Sequence, residues 1–564
     1  MEITPLGVRG LIMIYPKIPL AQSIIQICLS KGVSDIVISP GSRNAPLTIG
    51  FAGNPEFNCY SIADERCAAF FATGMAQQLQ KPVAIVCTSG SALLNYYPAV
   101  AEAFYSQIPL IVISADRPHD KIDIGDGQTI RQENVYANHI LYSANLNEQA
   151  SDANDALINE AIAVARFKKG PVHINAPFEE PLYETVEEPS VNVQVQFLTK
   201  EEKPFDAYFD YYTQKWNTAK KKLVLVGVNY PDTIDEAIIQ QLANDPSVVV
   251  MTETTSNLHH HSFLNSIDTI ITPFTPEDFE AWQPEILLTF GGMVVSKRVK
   301  AWLRNYKPAE HWHVDPLRAY DTFGALSRHF EAEPNDFLKR FLPETQPVES
   351  NYRQMAQELN SFRRVKHDEY LAKIPFSDFK AFEIILPALQ DGSQLQISNS
   401  SAIRYAQLFD IKPTVEVFCN RGTSGIDGST STAIGAAVGS GKPNLLITGD
   451  ISFLYDSNAL WNNYMPQNFR IILINNGGGG IFRILPGHAE TPVFNTFFET
   501  SHKLTAEHLA MMYGFSYSTS HTEIELKQQL TSFMEDSGQP QLLEVFTPML
   551  ENDKILLQYF KELV

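Results

Sequence analysis

The chain has 564 residues, a net charge of −21 at neutral pH and a hydrophobic fraction of 44%. This length exceeds what one hydrophobic core supports and predicts about three or four domains, while the composition excludes a disordered or collagen-like chain. The acidic balance argues against binding to nucleic acid or to an anionic membrane surface.

The cysteine content and the hydropathy predict a cytoplasmic protein. Five cysteines are scattered along the chain without a Cys-x-x-Cys pair, which is typical of a reducing compartment. No apolar run reaches the roughly 18 residues that a transmembrane helix needs, so we expect no membrane insertion. The apolar stretch 10–14 is too short for a secretion signal, and Met13 is a second candidate initiator beside Met1.

Buried strands alternate with helices in the first third of the chain. Short β-branched runs predict parallel strands at 33–39, 83–88, 110–114 and 172–175. Helices are predicted at 64–78 and 92–106, and the Pro- and Glu-rich stretch 179–189 predicts a linker.

The same alternation returns twice. Strands are predicted in the middle third at 222–228, 248–251 and 286–290, followed by a linker at 343–350. The last third predicts strands at 395–398, 415–418, 445–448, 471–474 and 542–545. We therefore expect an α/β protein of three doubly wound parallel-sheet domains, at 1–188, 189–350 and 351–564.

One stretch of the first third resembles a stretch of the last. Residues 88–114 run from a strand end through a small-residue turn and a Tyr-rich helix into a strand, and residues 448–474 do the same. The first and last domains are therefore expected to share a topology.

The strongest local motif joins two strand ends in the last domain. Asp450 ends one predicted strand, and 24 residues separate it from Asn475 and Asn476 at the end of the next. Both side chains are thus expected at one sheet edge, where carboxylate and amide oxygens suit a hard divalent ion that keeps phosphate ligands. The glycines 477–480 allow a ligand to approach the backbone closely, although an Asx turn in a tight loop is the alternative reading.

A second candidate is Glu65, which stands at the predicted start of a helix. A glutamate in a first helical turn usually only complements the helix dipole. Here the run 67–72 is apolar, so burial is expected to raise the pKa of the carboxyl group.

Glu65 in the first domain, with Asp450 and Asn476 in the last, resembles the thiamin diphosphate-dependent enzyme superfamily. The resemblance implies that Asp450, Asn476 and the carbonyl of Gly478 hold Mg²⁺, or Mn²⁺, on the cofactor diphosphate. It implies that Glu65 protonates N1′ of the aminopyrimidine. In the metal-binding motif, Ile451 stands where the common form has glycine after the aspartate.

Further motifs narrow the resemblance to one family within that superfamily. They are residues 39–47 (SPGSRNAPL), 116–118 (DRP), 127–132 (GQTIRQ), 296–298 (SKR), 399–404 (NSSAIR) and 421–428 (RGTSGIDG). Together, over about residues 13–560, they closely resemble the MenD family, the 2-succinyl-5-enolpyruvyl-6-hydroxy-3-cyclohexene-1-carboxylate synthases of menaquinone biosynthesis.

The resemblance implies a transferase that decarboxylates 2-oxoglutarate and adds the succinyl unit in 1,4 fashion to isochorismate. Fork-shaped arginines suit such dicarboxylate substrates in an acidic protein. The implied substrate-binding residues are Ser42, Arg43, Arg117, Lys297, Arg298, Ser400 and Arg404. The implied catalytic residues are Glu65, Gln128 and Arg421, and the implied cofactor wall consists of Ile426, Ile481, Phe482 and Leu485.

The resemblance also implies a homodimer or homotetramer whose active sites are shared between subunits. Gly127 departs from the family pattern, because many members carry Asn there. The alternatives are another thiamin diphosphate-dependent 2-oxoacid carboligase or decarboxylase, which the stretch 39–47 and the arginine set disfavour, and a non-catalytic homologue. A non-catalytic homologue is expected to lose Glu65 or the Asp450/Asn476 pair, and this chain keeps all three.

Overall fold

The computed structural model describes residues 13–197, 209–484, 491–535 and 537–564. The predicted cofactor-wall residue Leu485 and the stretch before Met13 lie outside these ranges. The described residues divide into two compact units. One lies within Met1–Lys200, Ser431–Gly441 and Asp456–Met465, and the other within Glu201–Thr430, Lys442–Tyr455 and Pro466–Val564.

The first unit contains a six-stranded parallel sheet whose inner strands are buried on both faces. Its strands, in spatial order, are Asn58–Ser61, Asp35–Ile38, Val83–Cys87, Leu110–Asp116, Val172–Pro177 and Tyr142–Asn145. Its helices are Pro19–Ser30, Ala45–Ala52, Glu65–Leu79, Ala92–Asn95, Tyr97–Ser106 and Asp152–Phe167. A short antiparallel pair joins Tyr15–Pro16 to Thr185–Val186.

The second unit contains two parallel sheets. The five-stranded sheet has the spatial order Val248–Met251, Lys222–Val226, Ile286–Phe290, Glu310–Val314 and Leu326–Phe330. The accompanying helices are Phe209–Thr218, Glu236–Asn244, Ile267–Ile271, Pro276–Trp282, Lys297–Asn305, Pro334–Phe341 and Tyr352–Leu371.

The other sheet of the second unit has six strands. They are, in spatial order, Glu416–Phe418, Gln394–Ile397, Asn444–Gly449, Phe469–Asn475, Gln541–Phe546 and Ser516–Ser520. The helices of this region are Asp378–Ile385, Ser401–Ala406, Asp450–Tyr455, Pro492–Phe497, Glu507–Met512, Glu523–Phe533 and Asn552–Glu562, whereas the helix Ser429–Ser440 belongs from Ser431 onward to the first unit.

The two six-stranded sheets follow the same connection order. In each, the second strand along the chain lies at one edge, followed in space by the first, third, fourth, sixth and fifth. This confirms the shared topology predicted from residues 88–114 and 448–474. The three parallel sheets with intervening helices confirm the predicted α/β fold class.

The prediction of a single helix at 92–106 was wrong. The stretch 92–106 forms two helices, Ala92–Asn95 and Tyr97–Ser106, instead of one. Pro98 lies at the start of the second helix, where a missing N–H is tolerated, and proline in a continuous helix would have broken the ladder of hydrogen bonds. No helix among the ranges described above is long and apolar enough to cross a lipid bilayer.

Two glycines let the helix Glu65–Leu79 pack closely against residues 431–441 within the first unit. A Cβ atom on Gly435 would lie 1.9 Å from the carbonyl oxygen of Phe71, and one on Gly74 would lie 2.1 Å from that of Thr432. Both obstacles are backbone atoms, so neither can rotate away.

Gly435→Ala is therefore expected to destabilise the protein by about 1–3 kcal/mol, the usual cost of overpacking a close contact. The measurement is the shift of the urea unfolding midpoint. The matched control is Gly127→Ala, because a Cβ atom there meets no heavy atom within 4 Å. An unchanged midpoint for Gly435→Ala would mean that this helix contact does not carry stability.

Candidate active site

Glu65 is the first residue of its helix and lies half-buried at the helix start. The helix begins there because Asp64 is the N-cap: the amide of Cys67 donates to Asp64 Oδ1 (3.2 Å), and Asn458 Nδ2 donates to Asp64 Oδ2 (2.8 Å). Burial raises the pKa of Glu65; a backbone N–H opposes that rise and the charge of Asp64 adds to it. The following apolar run 68–71 is buried.

Arg43 and Arg117 both approach the carboxylate of Glu180 in the first unit. Arg43 Nη1 donates to the carbonyl of Phe178 (2.9 Å) and its Nη2 to Glu180 (3.2 Å), and Arg117 Nη1 lies 3.9 Å from Glu180. Burial and the charge of Arg117 lower the pKa of Arg43. The buried Nε atoms of both arginines have no partner among the described residues, so each retains a donor for an anionic ligand.

The other two predicted residues of this unit, Ser42 and Gln128, are exposed. Gln128 has φ 55°, and its backbone lies against the turn at Gly90, which follows a strand end. The loop before Gln128 is tied down because Arg117 Nη2 donates to the carbonyl of Gly127 (3.1 Å). Asp116 in turn accepts the amide of Arg117 (2.8 Å).

In the second unit, Asp450 follows the strand Asn444–Gly449 directly. Its Oδ1 accepts the amide of Ile451 (2.7 Å), and its Oδ2 accepts the amides of Gly477 (2.8 Å) and Gly478 (3.0 Å). The glycine loop after the neighbouring strand is thereby held against the carboxylate. The predicted meeting of residues 450 and 476–478 at one sheet edge is confirmed by these contacts.

The orientation of Asn476 is set by a buried carboxylate that sequence reasoning missed. Asn476 Nδ2 donates to Asp378 Oδ2 (2.9 Å), while Thr547 Oγ1 donates to Asp378 Oδ1 (2.5 Å). Burial raises the pKa of Asp378 to about 6. With its nitrogen committed, Asn476 presents Oδ1 as its remaining ligand atom.

The donor set in this loop fits a hard divalent ion. It offers a carboxylate, an amide oxygen and backbone carbonyls, which leaves room for diphosphate oxygens. Within the described ranges no group of three His, Cys, Asp or Glu side chains is arranged to hold a metal ion.

The predicted apolar wall lies on two segments near Asp450. Ser452 Oγ donates to the carbonyl of Ile426 (2.6 Å), which ties the loop carrying Ile426 to the helix that Asp450 begins. Ile481 and Phe482 lie in a short 3₁₀ turn after the glycine loop, and Phe482 packs edge-on against Phe498 with ring centroids 6.0 Å apart.

Asn399 links two of the predicted substrate-binding segments. Its Nδ2 donates to the carbonyls of Asn420 and Gly425 (both 2.7 Å), and Arg421 Nη1 donates to its Oδ1 (2.5 Å). The adjacent Ser400 has φ 71°. Arg421 Nε is buried and has no partner among the described residues, so it retains a free donor.

Arg298 and Arg404 both interact electrostatically with Asp268. The charge of Asp268 attracts both guanidinium groups, and burial lowers the pKa of Arg404, as does repulsion from other cations. Arg298 also lies over the ring of Phe560, 4.7 Å from its centroid. Lys297 precedes Arg298 as the first residue of the helix Lys297–Asn305 and is exposed.

One cavity of the second unit adjoins three predicted groups. Arg404, Asn476 and Ile481 line it together with the acidic side chains of Asp378 and Asp553. The structure thus brings a predicted substrate residue, a predicted metal ligand and a predicted cofactor-wall residue to one concave surface.

Comparison with known families agrees with this geometry. Residues 18–138 match the model of the thiamine pyrophosphate enzyme N-terminal TPP binding domain, and residues 193–379 match that of the middle domain of these enzymes. A 2-succinyl-5-enolpyruvyl-6-hydroxy-3-cyclohexene-1-carboxylate synthase of Flavobacterium johnsoniae is 67% identical over 98% of this chain and 100% of its own length. The enzyme of that name from Bacteroides fragilis is 39% identical over 95% of this chain and 97% of its own length.

The chain belongs to this synthase family. It is accordingly a thiamin diphosphate-dependent enzyme of the transferase class. The solved benzoylformate decarboxylase of Polynucleobacter necessarius has the same fold, with a TM-score of 0.71 over 94% of this chain and 99% of its own. At 15% identity that likeness concerns the fold alone.

Several polar residues that orient the predicted site of this synthase were missed from the sequence. They are Asp116, Glu180, Asp268 and Asp378, each of which contacts or faces a predicted residue. Asp116 directly precedes Arg117, so adjacency was an available signal. Asp378 lies 98 residues before Asn476, and nothing local marks the pair.

Proposed function

We propose that this chain decarboxylates 2-oxoglutarate and adds the succinyl unit in 1,4 fashion to isochorismate, giving 2-succinyl-5-enolpyruvyl-6-hydroxy-3-cyclohexene-1-carboxylate and CO₂ in menaquinone biosynthesis. The observation that carries the proposal is the near full-length identity, up to 67%, to synthases of that name. The cationic groups of both units support it, since both substrates are dicarboxylates.

The cofactor, when bound, supplies the carbon nucleophile that 2-oxo acid decarboxylation requires. We assign Asp450, Asn476 and the carbonyl of Gly478 to Mg²⁺, or Mn²⁺, on the diphosphate. Glu65 would hold and move the proton at N1′ of the aminopyrimidine, which its raised pKa suits. The assigned cofactor wall consists of Ile426, Ile481, Phe482 and Leu485.

The substrate carboxylates would be held by the predicted cationic residues, and Arg421 and Gln128 would act at the reacting atoms. The assigned binding residues are Ser42, Arg43, Arg117, Lys297, Arg298, Ser400 and Arg404. The unpartnered Nε donors of Arg43, Arg117 and Arg421 support this assignment, because an anion would supply the acceptor they lack among the described residues.

The direct test is an assay of the purified chain with thiamin diphosphate, Mg²⁺, 2-oxoglutarate and isochorismate. We expect isochorismate to be consumed in a one-to-one ratio with released CO₂. Release of CO₂ without loss of isochorismate would identify a 2-oxo acid decarboxylase instead.

Arg298→Ala and Arg404→Ala are each expected to raise KM for isochorismate or for 2-oxoglutarate. A lost charge-assisted contact to a carboxylate is worth about 1.5–3 kcal/mol, which corresponds to about 10–150-fold. Steady-state kinetics provide the measurement. The control is Arg304→Ala, an exposed arginine in the last turn of the same helix as Arg298. An unchanged KM for both substrates in both variants would make these arginines ordinary surface charges.

We further propose a cytoplasmic homodimer or homotetramer, with domains at 1–188, 189–350 and 351–564 and with each active site shared between subunits. Mixing inactive Glu65→Gln subunits with inactive Asp450→Ala subunits should then restore part of the activity after subunit exchange. Each variant incubated alone is the control. A monomer in light scattering at the assay concentration would contradict the shared site.

A further inference from the structure

The second unit contains a buried carboxylate, Glu253, that none of the preceding assignments uses. It follows the strand Val248–Met251 at the carboxyl end of the five-stranded sheet and is only 3% exposed. Its backbone amide donates to Ser256 Oγ (2.8 Å), which in turn donates to the carbonyl of Val226 at the end of the adjacent strand (2.8 Å). Glu253 is thus fixed to two strands of the sheet.

The side chain of Glu253 binds the turn that precedes Lys297 and Arg298. Its Oε2 accepts the amide of Val295 (2.6 Å), and its Oε1 accepts the amide of Ser296 (2.7 Å). Ser296 is the N-cap of the helix Lys297–Asn305, since its Oγ accepts the amide of Val299 (3.1 Å). One carboxylate therefore sets both the position of the turn and the start of the helix.

Packing in the apolar core links the turn 295–298 to Arg404, another of the proposed substrate-binding cations. The side chain of Val295 is buried in the same apolar core as Ala402 and Ile403, which directly precede Arg404. Ser296 Oγ also donates to Asp268, whose charge attracts both Arg298 and Arg404. A shift of the turn would consequently move two of the proposed substrate-binding arginines relative to each other.

The negative charge of Glu253 offsets the positive charge of two nearby cations. It attracts Arg421 and Lys300, which repel each other. Its oxygens accept from two backbone amides, and the buried Nε of Arg421 has no partner among the described residues and stays available to a ligand. Burial raises the pKa of Glu253 to about 7, and the two amides and Arg421 oppose that rise.

We propose that Glu253 is a positioning residue for substrate-carboxylate binding, which holds the turn 295–298 so that Lys297 and Arg298 act together with Arg404 and Arg421. It would act through this turn and would not touch the substrate. The inference rests on the proposed function.

The decisive variant is Glu253→Gln. Glutamine keeps the size of the side chain but offers one acceptor oxygen, so either the amide of Val295 or that of Ser296 must face a donor. We expect KM for 2-oxoglutarate, isochorismate or both to rise on the order of tenfold, as for the loss of about one buried hydrogen bond. We expect kcat to change less than about twofold and thiamin diphosphate affinity to stay unchanged, because the turn 295–298 that Glu253 holds carries no residue assigned to catalysis or to the cofactor.

The matched control is Asp245→Asn, which also removes a buried carboxylate that accepts a backbone amide. Asp245 binds Ser247 and Lys222 at the amino ends of two strands, on the opposite edge of the same sheet. This variant is expected to leave both KM values unchanged. Hydrogen–deuterium exchange of the peptide 293–300 should be faster in Glu253→Gln and unchanged in Asp245→Asn.

The outcomes separate cleanly. Unchanged KM values in a folded Glu253→Gln enzyme overturn the proposal, even if exchange is faster. A fall in kcat that accompanies weakened cofactor binding also overturns it, because that result indicates a general structural role. If Glu253→Gln does not fold, Asp268→Ala carries the same KM criterion, because it removes the acceptor of Ser296 Oγ. A wild-type enzyme without turnover refutes the proposed function and this inference with it.

Discussion

Glu65→Gln is expected to lower kcat about 10²–10⁴-fold, the usual loss when general acid–base assistance is removed. Glutamine keeps the size of the side chain and one hydrogen-bond acceptor but cannot exchange a proton with N1′ of the cofactor. The structure supports a role for this proton, because burial at the helix start raises the pKa of Glu65.

The measurement combines steady-state kinetics with the exchange of the C2 proton of bound thiamin diphosphate for deuterium. Exchange should be slowed in Glu65→Gln, while cofactor affinity changes little. Glu160→Gln is a matched control, since Glu160 is also partly buried in a helix of the same unit and has no proposed role. Wild-type exchange in Glu65→Gln would make Glu65 only a charge at a helix start.

The sequence predicted the sheets of this protein well because its inner strands are buried on both faces. Continuous apolar runs such as 83–88 and 286–290 do not show the 3.6-residue spacing of a helix. They therefore predicted the strands Val83–Cys87 and Ile286–Phe290. Edge strands carry a weaker signal. Asn58–Ser61 is partly exposed and rich in polar residues, and it was not predicted.

The candidate site was predictable where its residues follow strand ends. Asp450 and Asn476 lie at one edge of one sheet, so the connection of adjacent parallel strands brings them together. The partners that orient them were not predictable, because they depend on packing between distant segments. Asp378 reaches Asn476 across 98 residues, and Glu253 reaches Ser296 across 43.

Pro98 in the sequence marks the break between the helices Ala92–Asn95 and Tyr97–Ser106. Pro98 cannot donate a backbone hydrogen bond and is tolerated at the beginning of a helix, so its presence in the middle of 92–106 argued for two helices.

Asp450→Ala is expected to abolish retention of thiamin diphosphate in the presence of Mg²⁺ while leaving the fold intact. The substitution removes the only carboxylate assigned to the metal and also the acceptor for the amides of Gly477 and Gly478. Asp378→Asn should have a smaller effect, about 10–100-fold in affinity, because it disturbs the orientation of Asn476 but leaves the carboxylate of Asp450 in place.

Calorimetric titration of the cofactor at fixed Mg²⁺ would rank the two variants, and circular dichroism would verify their folds. Asp391→Asn provides the control, since Asp391 is exposed in the same unit and pairs only with Thr414 among the contacts described for it. The order wild type, Asp378→Asn, Asp450→Ala in falling affinity follows if Asp450 is a ligand and Asp378 orients one. Equal affinities in wild type and Asp450→Ala would place the diphosphate elsewhere, whereas equal losses in both variants would mean that the orientation of Asn476 matters as much as the carboxylate itself.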